Sequence, residues 1–263
     1  MTIGGFVESI KKRLEAGKSV NIFVLTAMPA PPLVEIAAMF GGFHGVWIDQ
    51  EHAASTQERI EVLALACRAA GLDSFVRLAP TDYAAVMRPL EAGVGGIMAA
   101  QIQTAAHAKE VVAWARFPPE GRRGVNMNNR EGRYGNCDLA ATLRDANRDR
   151  WIAVQIEVLS ALKEVREIAA LDGVDHLFVG PADLSTAMGV PGEFLHPKVI
   201  DGMKAVAEAA KANGKTWGIL CRGADHAETA RKMGCSLFAL ATDFGVVNAG
   251  FKAIKENYKG FFK

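Results

Sequence analysis

Residues 151–181 read WIAVQIEVLSALKEVREIAALDGVDHLFVGP. Trp151 to Glu157 is a β-branched and aromatic run that predicts a strand, Leu159 to Leu171 has helical period, and Asp175 to Pro181 is a second apolar run closed by glycine and proline. The same alternation extends in both directions. Further apolar runs are VNIFVLT (20–26), GVWIDQE (45–51), SFVRLAP (74–80), GGIMAAQ (95–101), TWGILC (216–221) and SLFALATD (236–243). Between them lie helical stretches such as TQERIEVLALACRAAG, AAHAKEVVAWARF and GMKAVAEAAKANG, most of them stopped by glycine or proline. Eight strand-helix units in 263 residues, with no break in composition, predict a single (β/α)8 TIM barrel spanning 1–263. A doubly wound dinucleotide-binding sheet would place G-x-G-x-x-G after an early strand, and the chain has none.

Half of the residues are apolar, and 30 Lys and Arg against 29 Asp and Glu leave a net charge of +1. That balance gives no electrostatic case for nucleic acid or an anionic membrane and favours small-molecule partners. The opening MTIGGFVESIKKRLEAGKSV is amphipathic, without the apolar core of a signal peptide, and no apolar run approaches membrane-spanning length. Cys67, Cys137, Cys221 and Cys235 are far apart and form no C-x-x-C pair, so a reduced cytoplasm is expected.

Chemistry in a barrel collects at the C-terminal ends of its strands. Strand two ends in Asp49, Glu51 and His52, strand three in Arg77, strand four in Gln101 and Gln103, and strand five in Gln155 and Glu157. Strand six runs into GPADLS with Asp183, strand seven ends at Cys221 and Arg222, and strand eight ends at Asp243. Glu157 and Asp183 sit at corresponding ends of neighbouring strands, where like charges repel; either one takes up a proton or a divalent cation lies between them. Two oxygen ligands, with the rest left to water and substrate, match Mg²⁺ or Mn²⁺ better than closed zinc. Each carboxylate could instead cap a helix or pair with arginine.

Gln155 leaves the same strand face as Glu157 and could orient it, or hydrogen-bond backbone. Arg77, flanked by Val76 and Leu78, needs an anionic partner, catalytic or structural. His52 is the only histidine at a predicted strand end, and Asp49 nearby could orient it for acid-base work; His107 and His226 look like helix surface and His196 like a helix start. The glycine and proline of GPADLS leave free N–H groups around Ala182 to Leu184, suited to a carboxylate or phosphate. A 2-oxo acid fits such a site. Lys18 and Lys215 fall at strand starts, which disfavours Schiff-base chemistry.

WIDQEH (47–52), FVRLAP (75–80), ARFPPEGRRGV (115–125), VQIE (154–157) and VDHLFVGPADLSTAMG (174–189), followed by HPKV and GILC, resemble the HpcH/HpaI family of metal-dependent class II pyruvate aldolases. The resemblance implies a barrel that exchanges its C-terminal helix between neighbours in a homohexamer, a trimer of dimers. It also implies reversible retro-aldol cleavage of 4-hydroxy-2-oxo acids to pyruvate, or hydroxypyruvate, and an aldehyde. Glu157 and Asp183 would hold Mg²⁺, Mn²⁺ or Co²⁺, Arg77 would contact the ketone oxygen, and His52, paired with Asp49, would move protons through water. Gln155 would sit beside the metal and the Ala182 amide would bind the substrate carboxylate. Rival readings are an oxaloacetate decarboxylase or related carbon-carbon lyase, and a non-catalytic 2-oxo-acid-binding barrel. Two departures, Ala100 where the family commonly has proline and the segment NMNNREGRYG within the irregular stretch Pro118 to Asp138, are expected to border the mouth and to bear on the aldehyde accepted.

Overall fold

A computed structural model describes residues 7–262, so the first six residues of the amphipathic opening lie outside the described residues. Eight parallel strands close a barrel in chain order. They are β1 (Val20–Leu25), β2 (Gly45–Asp49), β3 (Asp73–Leu78), β4 (Gly96–Ala99), β5 (Trp151–Ile156), β6 (His176–Val179), β7 (Thr216–Leu220) and β8 (Leu237–Thr242). Each coincides with a predicted apolar run. The chain is a (β/α)8 TIM barrel, and β8 pairs with β1 to complete it.

Two apolar populations hold the barrel, separated by the two-residue period of a strand. Val46, Ile48, Val76, Ile152, Val154 and Ile156 belong to the layer between strands and helices, together with Ile60, Leu63 and Val206 from the helices. The alternate residues point inward, where Trp47, Phe75, Met98, Trp151 and Phe178 fill the barrel. Trp47 meets Phe178 edge-on with ring centroids 5.4 Å apart, and Phe75 lies 5.1 Å from Trp151. Burying aromatic rings of this size supplies much of the apolar driving force and leaves no pore.

The helices depart from expectation in two places. The predicted helix Leu159 to Leu171 is two short ones, Leu159–Lys163 and Val165–Ala170, because Glu164 leaves the helical path. Its carboxylate accepts the Ala105 N–H at 2.7 Å at the start of helix Ala105–Ala115. The helix expected from Gly202 begins earlier, at Pro197, where the His196 side chain accepts the Lys198 N–H.

The irregular stretch after Phe117 is corrected more substantially. Arg130, Glu131, Arg133 and Tyr134 lie with Gly93, Asp149 and Arg150, which precede β4 and β5, so this part of NMNNREGRYG sits at the N-terminal end of the barrel and not at its mouth. Buried Glu131 accounts for the placement: it takes Arg123 and Arg150 as partners, the latter at 2.7 Å. The C-terminal helix Asp243–Asn257 buries only Asp243, while Phe251, Ile254 and Tyr258 stay exposed. Among the described residues no helix is long and apolar enough to cross a membrane, and all four cysteines are unpaired.

Candidate active site

The inward parity that fills the barrel with rings continues past the strand ends and there turns polar. On β2 the inward series is Trp47, Asp49, Glu51; on β3 it is Phe75, Arg77; on β5 it is Trp151, Ala153, Gln155, Glu157. A cleft of about 540 Å³ opens over them at the C-terminal end, lined among others by Asp49, His52, Arg77, Gln155, Ala182 and Asp183. Its size is that of a small-molecule site.

Strand register makes the first ion pair. Asp49 and Arg77 are opposite one another in the β2–β3 ladder, and Asp49, fully buried, receives Nε and Nη2 of Arg77 at 2.8 Å each. Nη1 lies 3.1 Å from Glu51 Oε2, and the guanidinium sits 4.7 Å from the Trp47 ring centroid. The planar fork is thereby fixed, with N–H bonds on Nη1 and Nη2 still free for a ligand.

That pairing corrects the expected Asp49–His52 dyad. Both carboxylate oxygens of Asp49 are engaged by Arg77, whereas the His52 ring, 64% exposed, has its Nε2 3.8 Å from Glu51 Oε2. Glu51 is therefore the carboxylate that faces the imidazole. Sequence alone could not choose between Asp49 and Glu51, since both share the inward face; Arg77 decides it by occupying the first.

Glu157 is 1% exposed, accepts the Gln101 N–H at 2.7 Å through Oε1 and meets the Gln155 amide through Oε2. Burial, reinforced by Glu51 and Asp183 and opposed by the Gln101 N–H, pushes its carboxyl up to about 7. Glu51 is likewise raised, chiefly by burial. Gln101 reaches Glu157 through a left-handed backbone, φ 52°, unusual for a non-glycine residue, and nothing in the sequence marks it. Gly180 is required for closeness: a Cβ there would collide with Glu157 Oε2 and Gln155 Nε2.

Asp183 belongs to helix Pro181–Ala187, whose N-cap Gly180 has no side-chain capping bond, so capping does not explain Asp183. Of the N–H groups expected to be free there, that of Leu184 is taken by Gly180 O, which leaves those of Ala182 and Asp183. Asp243, by contrast, is structural: it accepts N–H groups of Thr26 and Met28 at 2.8 and 2.7 Å and so ties the end of β8 to the end of β1. His226, expected on a surface, is buried with Nδ1 accepting the Arg222 N–H at 3.2 Å. Ala100 donates its N–H to Leu78 O, a bond that a proline could not make.

Glu51, Glu157 and Asp183 thus lie near enough to act on one another beside an Arg77 already committed to Asp49, with Asp183 and Gln155 lining the cleft, and the buried Gln155 Oε1 has no hydrogen-bond donor. Buried acceptors without donors call for a cation or its water. No three His, Cys, Asp or Glu side chains among the described residues converge as a closed metal cage, so a cation here would take its remaining ligands from water and substrate, as hard divalent ions do.

Known proteins agree with this architecture. The chain is 32% identical over 252 residues to a pyruvate aldolase from Rhizobium etli, covering 96% of this chain and 98% of the relative. It is 31% identical over 244 residues to 5-keto-4-deoxy-D-glucarate aldolase from Salmonella arizonae, covering 93% and 94%. The crystal structure of an HpcH/HpaI aldolase from Desulfitobacterium hafniense superposes with a TM-score of 0.88 at 32% identity, over 94% of this chain and 97% of that one. The family model for HpcH/HpaI aldolase/citrate lyase matches residues 21–249, which take in every strand end described above, and the chain belongs to that family.

Proposed function

We propose that the chain is a divalent-metal-dependent aldolase that reversibly cleaves 4-hydroxy-2-oxo acids to pyruvate, or hydroxypyruvate, and an aldehyde. The observation that carries this reading is the excess of carboxylates at the mouth beside an arginine with unused N–H bonds. Glu157 and Asp183 would hold the cation, with Gln155 orienting Glu157. When bound, Mg²⁺, Mn²⁺ or Co²⁺ supplies Lewis acidity at the 2-oxo oxygen.

The chain's own groups do the remainder. Arg77, fixed by Asp49, presents its free N–H bonds to the ketone oxygen, where negative charge develops as the C3–C4 bond breaks. The Ala182 and Asp183 N–H groups receive the substrate carboxylate. His52, next to Glu51, takes the proton from the 4-hydroxyl through water in cleavage and returns it in addition. His52, Arg77, Glu157 and Asp183 are all present, which argues against a non-catalytic 2-oxo-acid-binding barrel.

The apolar residues of helix Asp243–Asn257, together with exposed Met39 and Phe40 on helix Pro31–Phe40, support a homo-oligomer in which that helix packs on a neighbouring copy, up to a hexamer. Light scattering on the purified protein distinguishes it from a monomer. Unpaired cysteines suit a cytoplasmic setting.

Incubation in D₂O with pyruvate and Mn²⁺, without any aldehyde, tests the chemistry directly. Deuterium should enter the pyruvate methyl group, stop entering on treatment with EDTA, and return with Mn²⁺, Mg²⁺ or Co²⁺. Exchange that persists in metal-free protein, or that never occurs, overturns the assignment. Assaying oxaloacetate beside a 4-hydroxy-2-oxo acid separates decarboxylase from aldolase.

A further inference from the structure

The mouth of the barrel has acids in excess, and its N-terminal end has arginines in excess. We propose that the N-terminal end holds a second, non-catalytic site, which binds a phosphoryl dianion, either inorganic phosphate or the phosphate group of a small organic ester. A cavity of about 300 Å³ there is lined by Arg68, Arg130, Arg133 and Arg150, with Glu131, Asp145 and Asp149 as its acids. All three acids are already engaged. Glu131 lies between Arg123 and Arg150, and Asp145 and Asp149 stand 2.8 and 2.7 Å from Arg148, a residue outside the lining. Arg68, Arg130 and Arg133 have no carboxylate within 4.0 Å among the described residues. Three positive charges therefore border one space without a counter-charge.

These arginines converge over one stretch of backbone. Arg68, half-buried in the last turn of helix Gln57–Ala69, donates from Nη1 to Gly93 O at 3.1 Å. A Cβ on Gly93 would stand 2.6 Å from Arg130 Cγ and 3.2 Å from Arg68 Nη1, so both side chains lie over that glycine. Burial, followed by the charge of Arg130, holds the Arg68 guanidinium below its ordinary proton affinity. Arg150 is fixed beside them by Glu131 and by Val94 O at 3.2 Å. Arg130 and Arg133 are exposed, but the segment that carries them is tied down. Gly132 N–H donates to Asn129 Oδ1 at 2.9 Å, Tyr134 N–H to Asn129 O at 2.9 Å, and Gly135 N–H to Met127 O at 2.8 Å. Arg133 and Tyr134 have φ of 50° and 56°, left-handed conformations that in non-glycine residues cluster at ligand clamps and other functional sites.

A carboxylate brings one charge and two acceptor oxygens, too few for three arginines. A phosphoryl group brings about two charges and three oxygens, which the edges of several guanidinium groups can share. An adjoining cavity of about 840 Å³ also has Arg68, Arg130 and Arg150 in its lining and adds Lys12, Leu65 and Tyr134, which gives room for the organic part of an ester. The bound anion would tie the end of helix Gln57–Ala69, the turn at Gly93 and the Arg130–Tyr134 segment to one another. None of these residues takes part in the chemistry proposed at the mouth, so the site stands or falls apart from that reading.

Equilibrium dialysis of the parent protein in EDTA, with radiolabelled inorganic phosphate, glycerol 3-phosphate and acetate in turn, tests the site. The phosphoryl ligand should bind, and acetate should bind far more weakly. An ester that binds more tightly than phosphate shows the adjoining cavity taking its organic part; one that binds no more tightly identifies inorganic phosphate as the ligand. In Arg130→Gln/Arg133→Gln, where both substitutions fall on exposed side chains, affinity should drop by roughly 10- to 100-fold, the scale of lost charge-assisted contacts. Arg68→Gln should give a loss of the same kind from the half-buried side. Arg130→Lys/Arg133→Lys, which keeps the charge and loses the fork, should recover part of the affinity. Absence of phosphate and ester binding, or acetate bound as tightly as either, overturns the inference. Parent affinity in either glutamine variant also overturns it and would assign the anion to the mouth, where Arg77 has N–H bonds to offer.

Discussion

The two ends of the barrel both bury carboxylates and treat them in opposite ways. At the N-terminal end Glu131 lies between Arg123 and Arg150, Asp175 takes Lys11, Arg116 and the Ile152 N–H, and Asp73 receives the N–H groups of Ile10 and Ser74. Every acid there has its counter-charge or donors within the chain. At the C-terminal end Asp49 absorbs most of Arg77, and Glu51, Glu157 and Asp183 remain in excess. A matched network stabilises or specifies a fold, while an unmatched one waits for a ligand. The difference locates catalysis at one end without reference to any relative.

Substitutions at the two ends should separate along the same line. Asp183→Ala should lower kcat/KM by about a thousandfold or more, the scale of several kcal/mol of lost charge stabilisation, and abolish Mn²⁺ binding by calorimetry with an unchanged melting temperature. Retained metal affinity would remove Asp183 from the site. Glu131→Ala, at the other end, should cost roughly 3–5 kcal/mol and lower Tm by about 6–20 °C, because it strands two arginines in a buried place. An unchanged Tm would mean the N-terminal network is not the stabilising one.

Next in size, His52→Ala should slow turnover by about 10²-fold or more while Mn²⁺ affinity stays as it was. Turnover at the parent rate would hand proton transfer to another group.

The smallest effect is one of pH. His176, fully buried at the start of β6 beside Thr216 Oγ1 at 2.7 Å, is held by burial down to about 3. The unfolded chain takes up that proton near the ordinary value of 6.5 and the folded chain does not. The contribution of neutral His176 is thus complete above 6.5 and is lost as pH falls toward 3, by up to about 1.4 kcal/mol per pH unit. Urea unfolding at pH 7 and pH 5 should show a shallower pH dependence in His176→Gln; an identical slope would exclude the histidine as its source.

Much of the molecule was legible in residue order because strand identity depends on local composition. The runs ending in Gln155–Glu157 and in Gly180–Pro181 alternate with helical period, and that alternation closes into a barrel by its own length and handedness. The same two-residue period puts Gln155 and Glu157 on one face of their strand from residue order alone, and strand ends alone single out Asp49 and Arg77. Tertiary structure alone decided how those side chains share one another. β2–β3 register gave Asp49 to Arg77 and set Glu51 between Arg77 and His52, the left-handed backbone at Gln101 brought a donor to Glu157, and buried Glu131 drew the Arg130–Tyr134 segment away from the mouth. Period along a chain fixes the face on which a residue stands. Which charges meet across that face depends on register, loop path and burial, and those are properties of the closed barrel.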